Sequence, residues 1–202
     1  MLRRQLAIFA RAPELGRAKR RLAKGLGWVA ATAFYRRNAS SLARRLGADR
    51  RWRTGLWLTP DRAVAAVGRV WPGYLTRMKQ GRGDLGQRMA RVFHDLPPGP
   101  VVLVGCDIPE LGPAQIARAF ALLGRFDAVF GPAPDGGYWL VGLRRRPHLR
   151  PPFRAVRWSG PFALQDTLRS LGGASVALLD PLFDIDTAAD HAAWRRRVNR
   201  AR

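Results

Sequence analysis

One cysteine, Cys106, is present in 202 residues, so the chain has no internal disulfide and no paired-cysteine metal site. A reducing compartment suits such a chain. Long apolar runs are also missing: LLGRFDAVF and VVLVG break off well short of the ~18 residues that a membrane span requires. The N-terminal MLRRQLAIFARAP lacks the long apolar centre and small-residue cleavage site of a signal peptide, and the expectation is a cytoplasmic protein with no transmembrane segment. Negative charge is scarce, with 14 Asp and Glu against 36 Lys and Arg, a formal net charge of +22. A field of that sign attracts nucleic acid, anionic membrane and phosphorylated substrates without needing a specific site. The positive charge is almost all Arg, spread from Arg3 to Arg202 among abundant Ala, Gly and Pro, as the codon bias of a GC-rich genome produces unaided. No RNA-binding signature, zinc finger or basic coiled-coil region is present, which speaks against specific nucleic-acid recognition.

What is there is enough apolar material for a core. Hydrophobic residues make up 47% of the chain, and its length suits a single domain spanning 1–202. Strand-like apolar runs (QLAIFA, RTGLWLTP, YLTRMKQ, PVVLVG, FDAVFG, YWLVGL, SVALLD) alternate with segments whose apolar residues recur every three or four positions. Those helical segments are RAKRRLAKGL, WVAATAFYRRNASSLARRL, DRAVAAVGRV, LGQRMARVFHDL, PAQIARAFALLG, GPFALQDTLRSL and TAADHAAWRRRV. The fold class predicted is α/β, a mostly parallel sheet with helices on both faces. The Pro- and Arg-rich RRRPHLRPPFR reads as an irregular excursion.

Ligands of open α/β sheets sit beyond the carboxyl ends of the strands, so the loops that follow strands carry the chemistry. After the first strand, Pro13 and Gly16 shape a turn, and Arg11, Arg17, Lys19, Arg20 and Arg21 gather cations beside the start of a helix, a setting for a di- or triphosphate. Asp107 directly follows PVVLVG, where a hard cation could bridge it to phosphate oxygens. In FDIDT, Asp184 and Asp186 alternate, so both side chains of an extended chain point the same way. Two neighbouring carboxylates repel unless a cation neutralises them, and with Asp107 they would make a Mg2+ or Mn2+ site. For Asp186, a role in the turn entering the helix at Thr187 is the alternative.

In GPAPDGGYWLVGL, Asp135, Gly136 and Gly137 form either a hairpin turn or a loop that approaches a ligand closely, and Tyr138 and Trp139 offer flat apolar surface. In QGRGDLGQRM, Gly83, Asp84, Leu85 and Gly86 permit close approach to a base or ribose, or Asp84 caps the helix that begins at Leu85. His94, His148 and His191 read as solvated or helix-end residues, and Cys106 as a small packing residue.

Taken together and in this order, FARAPELGRAKRRL, GDLGQRM, VGCDIPEL, GPAPDGGYWLVGL and FDIDTAAD span nearly the whole chain. The set resembles the bacterial GT-A-fold glycosyltransferase-like family, described as a domain of unknown function or as arsenosugar-biosynthesis-associated glycosyltransferases. That family is similar to the molybdenum cofactor and phosphoenolpyruvate or phospholactate guanylyltransferases. The resemblance implies a fold of the nucleotide-diphospho-sugar transferase type, with a nucleotide on the first half of the sheet and an acceptor on the second. It implies that Arg11, Gly16, Lys19 and Arg21 hold phosphates, with Pro13 in the same loop, that GDLGQ lies near the nucleoside, and that Asp107, Asp184 and Asp186 bind metal. Arg20 stands where the family usually has threonine, so that hydroxyl has no counterpart here.

The expected activity is metal-dependent transfer of a sugar from a nucleotide-diphospho-sugar to a small acceptor. Lys19 and Arg21 would stabilise the leaving group, and Asp135 would take the acceptor's proton at a site formed with Gly136, Gly137 and Tyr138. Nucleotidyl transfer to a phosphorylated or acidic acceptor is the alternative, and a non-catalytic polyanion-binding protein the third reading.

Overall fold

The computed structural model describes residues 3–66, 70–145 and 152–200. Their strands form one seven-stranded sheet ordered β3-β2-β1-β4-β6-β5-β7. The strands are β1 (Gln5–Arg11), β2 (Arg53–Thr59), β3 (Thr76–Lys79), β4 (Val101–Gly105), β5 (Ala128–Pro132), β6 (Tyr138–Leu143) and β7 (Val176–Leu178). β6 runs antiparallel to both β4 and β5, and the other pairings are parallel. The helices are α1 (Arg20–Leu26), α2 (Trp28–Gly47), α3 (Leu85–Asp95), α4 (Pro113–Leu122), α5 (Ala163–Ser170) and α6 (Ala188–Arg200). The α/β class with a mostly parallel sheet covered on both faces is what the alternation of patterns predicts.

The strands are nearly continuous apolar runs because both of their faces are buried. On one face Leu6, Ile8, Leu56, Leu58, Val102 and Val104 pack in a cluster with Leu42 and Leu46 of α2 and Ile116 and Phe120 of α4. On the other, Ala7, Trp57, Val101, Leu103, Phe130 and Val141 meet Met89, Val92 and Phe93 of α3. A third cluster joins α1 and α2 through Leu22, Ala23, Ala31 and Phe34, with Ile185 inserted from the C-terminal segment.

One local reading changes. The helix predicted over 61–70 is a single 3₁₀ turn, Asp61–Val64, in the part described, with Ala63 N–H donating to the Pro60 carbonyl at 2.8 Å. Such i to i+3 bonding rarely propagates, and periodicity over a short segment does not separate it from an α-helix. In the predicted irregular tract 144–154, residues 146–151 lie outside the described residues, His148 among them. Among the described residues no helix is long and apolar enough to cross a membrane.

Candidate functional site

Parallel strands bring their carboxyl ends to one edge, and β1 and β4 are neighbours there, with Phe9 opposite Gly105. The loops after these two strands are therefore forced together. β6 is antiparallel, so its amino end, Tyr138, reaches the same edge, and the turn between β5 and β6 joins the cluster. The segment after β7 returns to this edge, bonded through Leu182 N–H to the Pro132 carbonyl.

Three carboxylates converge there. Asp107, Asp184 and Asp186 each offer an oxygen, and these atoms all lie within 4.8 Å of one another. An all-oxygen donor set of this kind fits a hard divalent cation such as Mg2+ or Mn2+. The alternation of Asp184 and Asp186 is held by the residue between them: Ile185 is 2% exposed, and its burial under α1 and α2 turns both acids toward Asp107. Asp186 does not cap α6. Asp190 takes that part, its Oδ2 accepting from Thr187 N–H at 2.7 Å and from the Thr187 hydroxyl at 2.7 Å, and Thr187 Oγ1 accepts in return from Asp190 N–H at 3.2 Å.

Lys19 is placed against these acids. Its Nζ donates to Asp186 Oδ1 at 2.6 Å and to Asp107 Oδ2 at 3.1 Å, and its side chain is 6% exposed. Burial works against the ammonium, but the attraction of Asp107 and Asp186 outweighs it and holds the group above its ordinary range. Burial also pushes Asp184 up to about 6, with repulsion from Asp186, Asp107 and Asp135 added and Lys19 opposing. The three carboxylates face one buried ammonium, a balance of charge that suits the binding of a divalent cation. Lys19 has a left-handed backbone, φ 51°, strained for a residue with a side chain.

Two cavities meet at the triad. The first, about 860 Å³, is lined by Arg11, Arg17, Lys19, Arg20 and Arg21 along with Gly16 and Tyr35, and reaches Asp107 and Asp186. Arg21 Nη1 lies 4.0 Å from Asp186 Oδ2 with its side chain 78% exposed, so most of its charge faces solvent. Arg17 is paired with Glu14 at 3.3 Å. α1 is only seven residues long and has no side-chain cap, so the cations rather than the helix end give this cavity its sign. Pro13 is not part of its wall.

The second cavity, about 670 Å³, is lined by Phe9, Leu85, Met89, Leu103, Tyr138 and Trp158, with Asp107, Asp135, Asp184 and Asp186 at its polar side. Asp135 sits in the β5–β6 hairpin turn, its Oδ1 accepting from Gly137 N–H at 2.9 Å. The turn is the hairpin of the two readings, and its close approach is to the chain itself. Gly136 has φ +83° and lies so close to the Pro161 carbonyl that a Cβ would fall 2.1 Å from the oxygen.

In the GDLG segment, Leu85 faces this cavity, whereas Asp84 caps α3 by accepting from Gln87 N–H at 2.7 Å, with Gln87 returning to Asp84 N–H. Gly83 shapes that cap, and Gly86 lies beneath the Trp158 ring, where a Cβ would come within 2.7 Å. Trp139 is 5% exposed and packs on Gly131 in the cluster of the opposite face, because alternate strand residues point to opposite sides. Trp139 also borders this cavity, and Trp158, its ring centroid 6.5 Å from that of Tyr138, adds to the flat surface expected there.

Sequence reasoning missed Trp158, Ser159 and Tyr35. Ser159 has φ 64° and touches both cavities. Its segment is pinned by buried Asp166, which accepts from Arg157 N–H, Nε and Nη2 at 3.1, 2.8 and 2.9 Å, and these bonds hold the carboxyl well below its usual range. The signal available was the WSGP turn ahead of a helix. Tyr35 braces the β1 and β4 ends: its hydroxyl donates to the Arg11 carbonyl, accepts from Arg11 N–H and lies 3.1 Å from Cys106 Sγ. Cys106 is buried, and its thiol is pushed up to about 12 by that burial, as befits a packing residue. Tyr35 is hidden in the sequence because it falls on the apolar stripe of α2. His94 and His191 lie outside both cavity walls.

No curated protein matches the chain in sequence. Among solved structures, a protein of Desulfovibrio desulfuricans G20 provisionally named a nucleotide-diphospho-sugar transferase superposes with a TM-score of 0.82 at 28% identity, covering 98% of this chain and 88% of its own. The 4-diphosphocytidyl-2C-methyl-D-erythritol synthase of Anaerococcus prevotii DSM 20548 gives 0.63 at 10% identity, with 98% of each chain covered. A CMP:2-keto-3-deoxy-manno-octonic acid synthetase, solved with CTP, gives 0.57 at 13% identity over 100% of both chains. The last two likenesses show the fold alone. A family model matches residues 42–160, a span that takes in Asp107 and Asp135 but neither Lys19 nor Asp184 and Asp186. With more than half of its length matched, the chain belongs to the DUF2064 family, described as uncharacterized proteins conserved in bacteria.

Proposed function

We propose that the chain is a metal-dependent glycosyltransferase, moving a sugar from a nucleotide-diphospho-sugar to a small acceptor, with residues 1–202 acting as one domain in the cytoplasm. The observation that carries this reading is the meeting of two unlike cavities, one cationic and one apolar, at three converging carboxylates. The likeness to the Desulfovibrio protein supports a transferase that uses a nucleotide.

In this reading Arg11, Gly16, Lys19 and Arg21 receive the donor's diphosphate in the first cavity. Asp107, Asp184 and Asp186 hold Mg2+ or Mn2+, which supplies charge stabilisation for the departing diphosphate. As the bond between the anomeric carbon and the phosphate oxygen breaks, its electron pair leaves with the diphosphate, and Lys19 and Arg21 offset the charge that grows there. The acceptor oxygen bonds to the anomeric carbon while its proton passes to Asp135. The Asp135 Oδ1 bond to Gly137 N–H orients that carboxylate.

The test is thermal unfolding against nucleoside diphosphates, nucleotide sugars and triphosphates, each with manganese or magnesium and again with chelator. A ligand that binds the folded state alone raises the midpoint, by about 2.7 kcal/mol of stability at a hundredfold excess over Kd. Stabilisation by one nucleoside diphosphate and its sugar, lost with chelator, is the expected result. Preference for a triphosphate would replace the reading with nucleotidyl transfer. A response to heparin with none to any nucleotide would leave a polyanion-binding protein.

A further inference from the structure

The charge of the second cavity runs against that of the molecule. In a chain of net charge +22, its wall among the described residues carries Asp107, Asp135, Asp184 and Asp186 against one cation, Arg21. The first cavity carries Arg11, Arg17, Lys19, Arg20 and Arg21 against Asp107 and Asp186. The cation next in sequence to Trp158 is already committed: Arg157 is bonded to Asp166, and its guanidinium stacks 3.9 Å from the Phe162 ring centroid. A divalent ion would take up the charge of the triad, yet Asp135 lies outside that set. The remaining wall is apolar, with the Tyr138 and Trp158 rings at 69° to each other, Tyr138 edge-on to Phe130, and Phe9, Leu85, Met89 and Leu103 beside them.

We infer that this cavity takes an uncharged or cationic hydroxyl compound with an apolar ring face, and that it rejects phosphorylated and carboxylated acceptors. The inference rests on the proposed transfer reaction for the word acceptor, but the charge selection is a property of the cavity itself. Among the described residues, a phosphate entering there would face four carboxylates with Arg21, shared with the first cavity, as the wall's one cation, whereas a ring bearing a hydroxyl stacks on Trp158 and presents its O–H to Asp135. Anions are thereby directed to the first cavity, and the two substrates are sorted by charge before any reaction takes place.

The probes are phenyl β-D-glucoside and its 6-phosphate, titrated against the tryptophan fluorescence of the full chain without nucleotide, in chelator and again in manganese. The glucoside is expected to quench the wild-type protein and to lose that quench in Trp158→Phe. Its 6-phosphate is expected to bind at least about tenfold more weakly in both buffers, with the gap narrowing in Asp135→Asn. Equal or tighter binding of the phosphate ester overturns the inference, as does a quench that survives Trp158→Phe. Because no nucleotide is present, a protein that fails the donor test above can still pass this one, and a confirmed glycosyltransferase can fail it.

Discussion

The two cavities are built by different means. In the first, most of the charged groups are exposed arginines, and Arg21 in particular is 78% exposed, so that cavity works through a field that side chains supply with little fixed geometry. In the second, the wall is set by backbone: a hairpin turn that only glycine fits at 136, a helix cap at Asp84, and a loop pinned by buried Asp166. A field recognises charge at a distance and tolerates many anions, whereas a fixed wall recognises shape. Asp107 and Asp186 of the carboxylate triad belong to both, with Lys19 as the cation buried between them.

Breaking the shared element has the largest expected effect. Asp107→Asn removes one oxygen ligand and one Lys19 partner, and turnover should fall at least ~10²-fold with the far-ultraviolet spectrum unchanged. Retained turnover would remove the triad from the reaction. Gly136→Ala separates the cavities: positive φ and the Pro161 carbonyl together should cost about 2 kcal/mol or more, a fall in Tm of roughly 4–8 °C. The acceptor's KM should rise while affinity for the nucleoside diphosphate stays as it was, and an equal loss on both sides would refute the division. Salt sharpens the same contrast from the other side. Going from 0.05 to 0.5 M NaCl should weaken binding of pyrophosphate to the metal-free protein severalfold and leave phenyl glucoside affinity unchanged.

The smallest effect concerns Asp184. Its folded-state carboxyl titrates near 6 against an ordinary 3.8, so the folded protein bears a cost of ionisation that appears as pH rises from about 4 through 6. Asp184→Asn should therefore raise the Tm of the metal-free protein at pH 7.5 by roughly 2–4 °C, taking about 1 kcal/mol after solvent screening. Little gain is expected at pH 3, below both the unfolded and the folded values, where the carboxyl is mostly protonated in both states. Manganese at pH 7.5 should cancel the advantage, because the ion stabilises the wild-type carboxylates and binds the variant less well.

Much of this was written locally. Short apolar runs marked the strands and period-3.6 patterning all but one of the helices, because burial on both faces of the sheet and on one face of each helix imposes those patterns. The acids at strand ends were legible as well, since Asp107 lies two residues past the end of β4 and Asp184 and Asp186 alternate about Ile185. Other features had no local signature. Asp84 is compatible with a cap or a ligand contact until α3 is seen to receive it. Trp158 joins Tyr138 and Trp139 at the cavity because a loop distant in sequence carries it there. The sequence by itself determined the α/β class, the positive first loop and the candidate acids, all properties of short stretches. Only the tertiary structure decided that Lys19 lies between Asp107 and Asp186, 88 and 167 positions away, that antiparallel β6 delivers Asp135 to the same edge, and that charge divides between two cavities. Strand order sets those neighbours, and it arises from packing the whole sheet rather than from the pattern of any one segment.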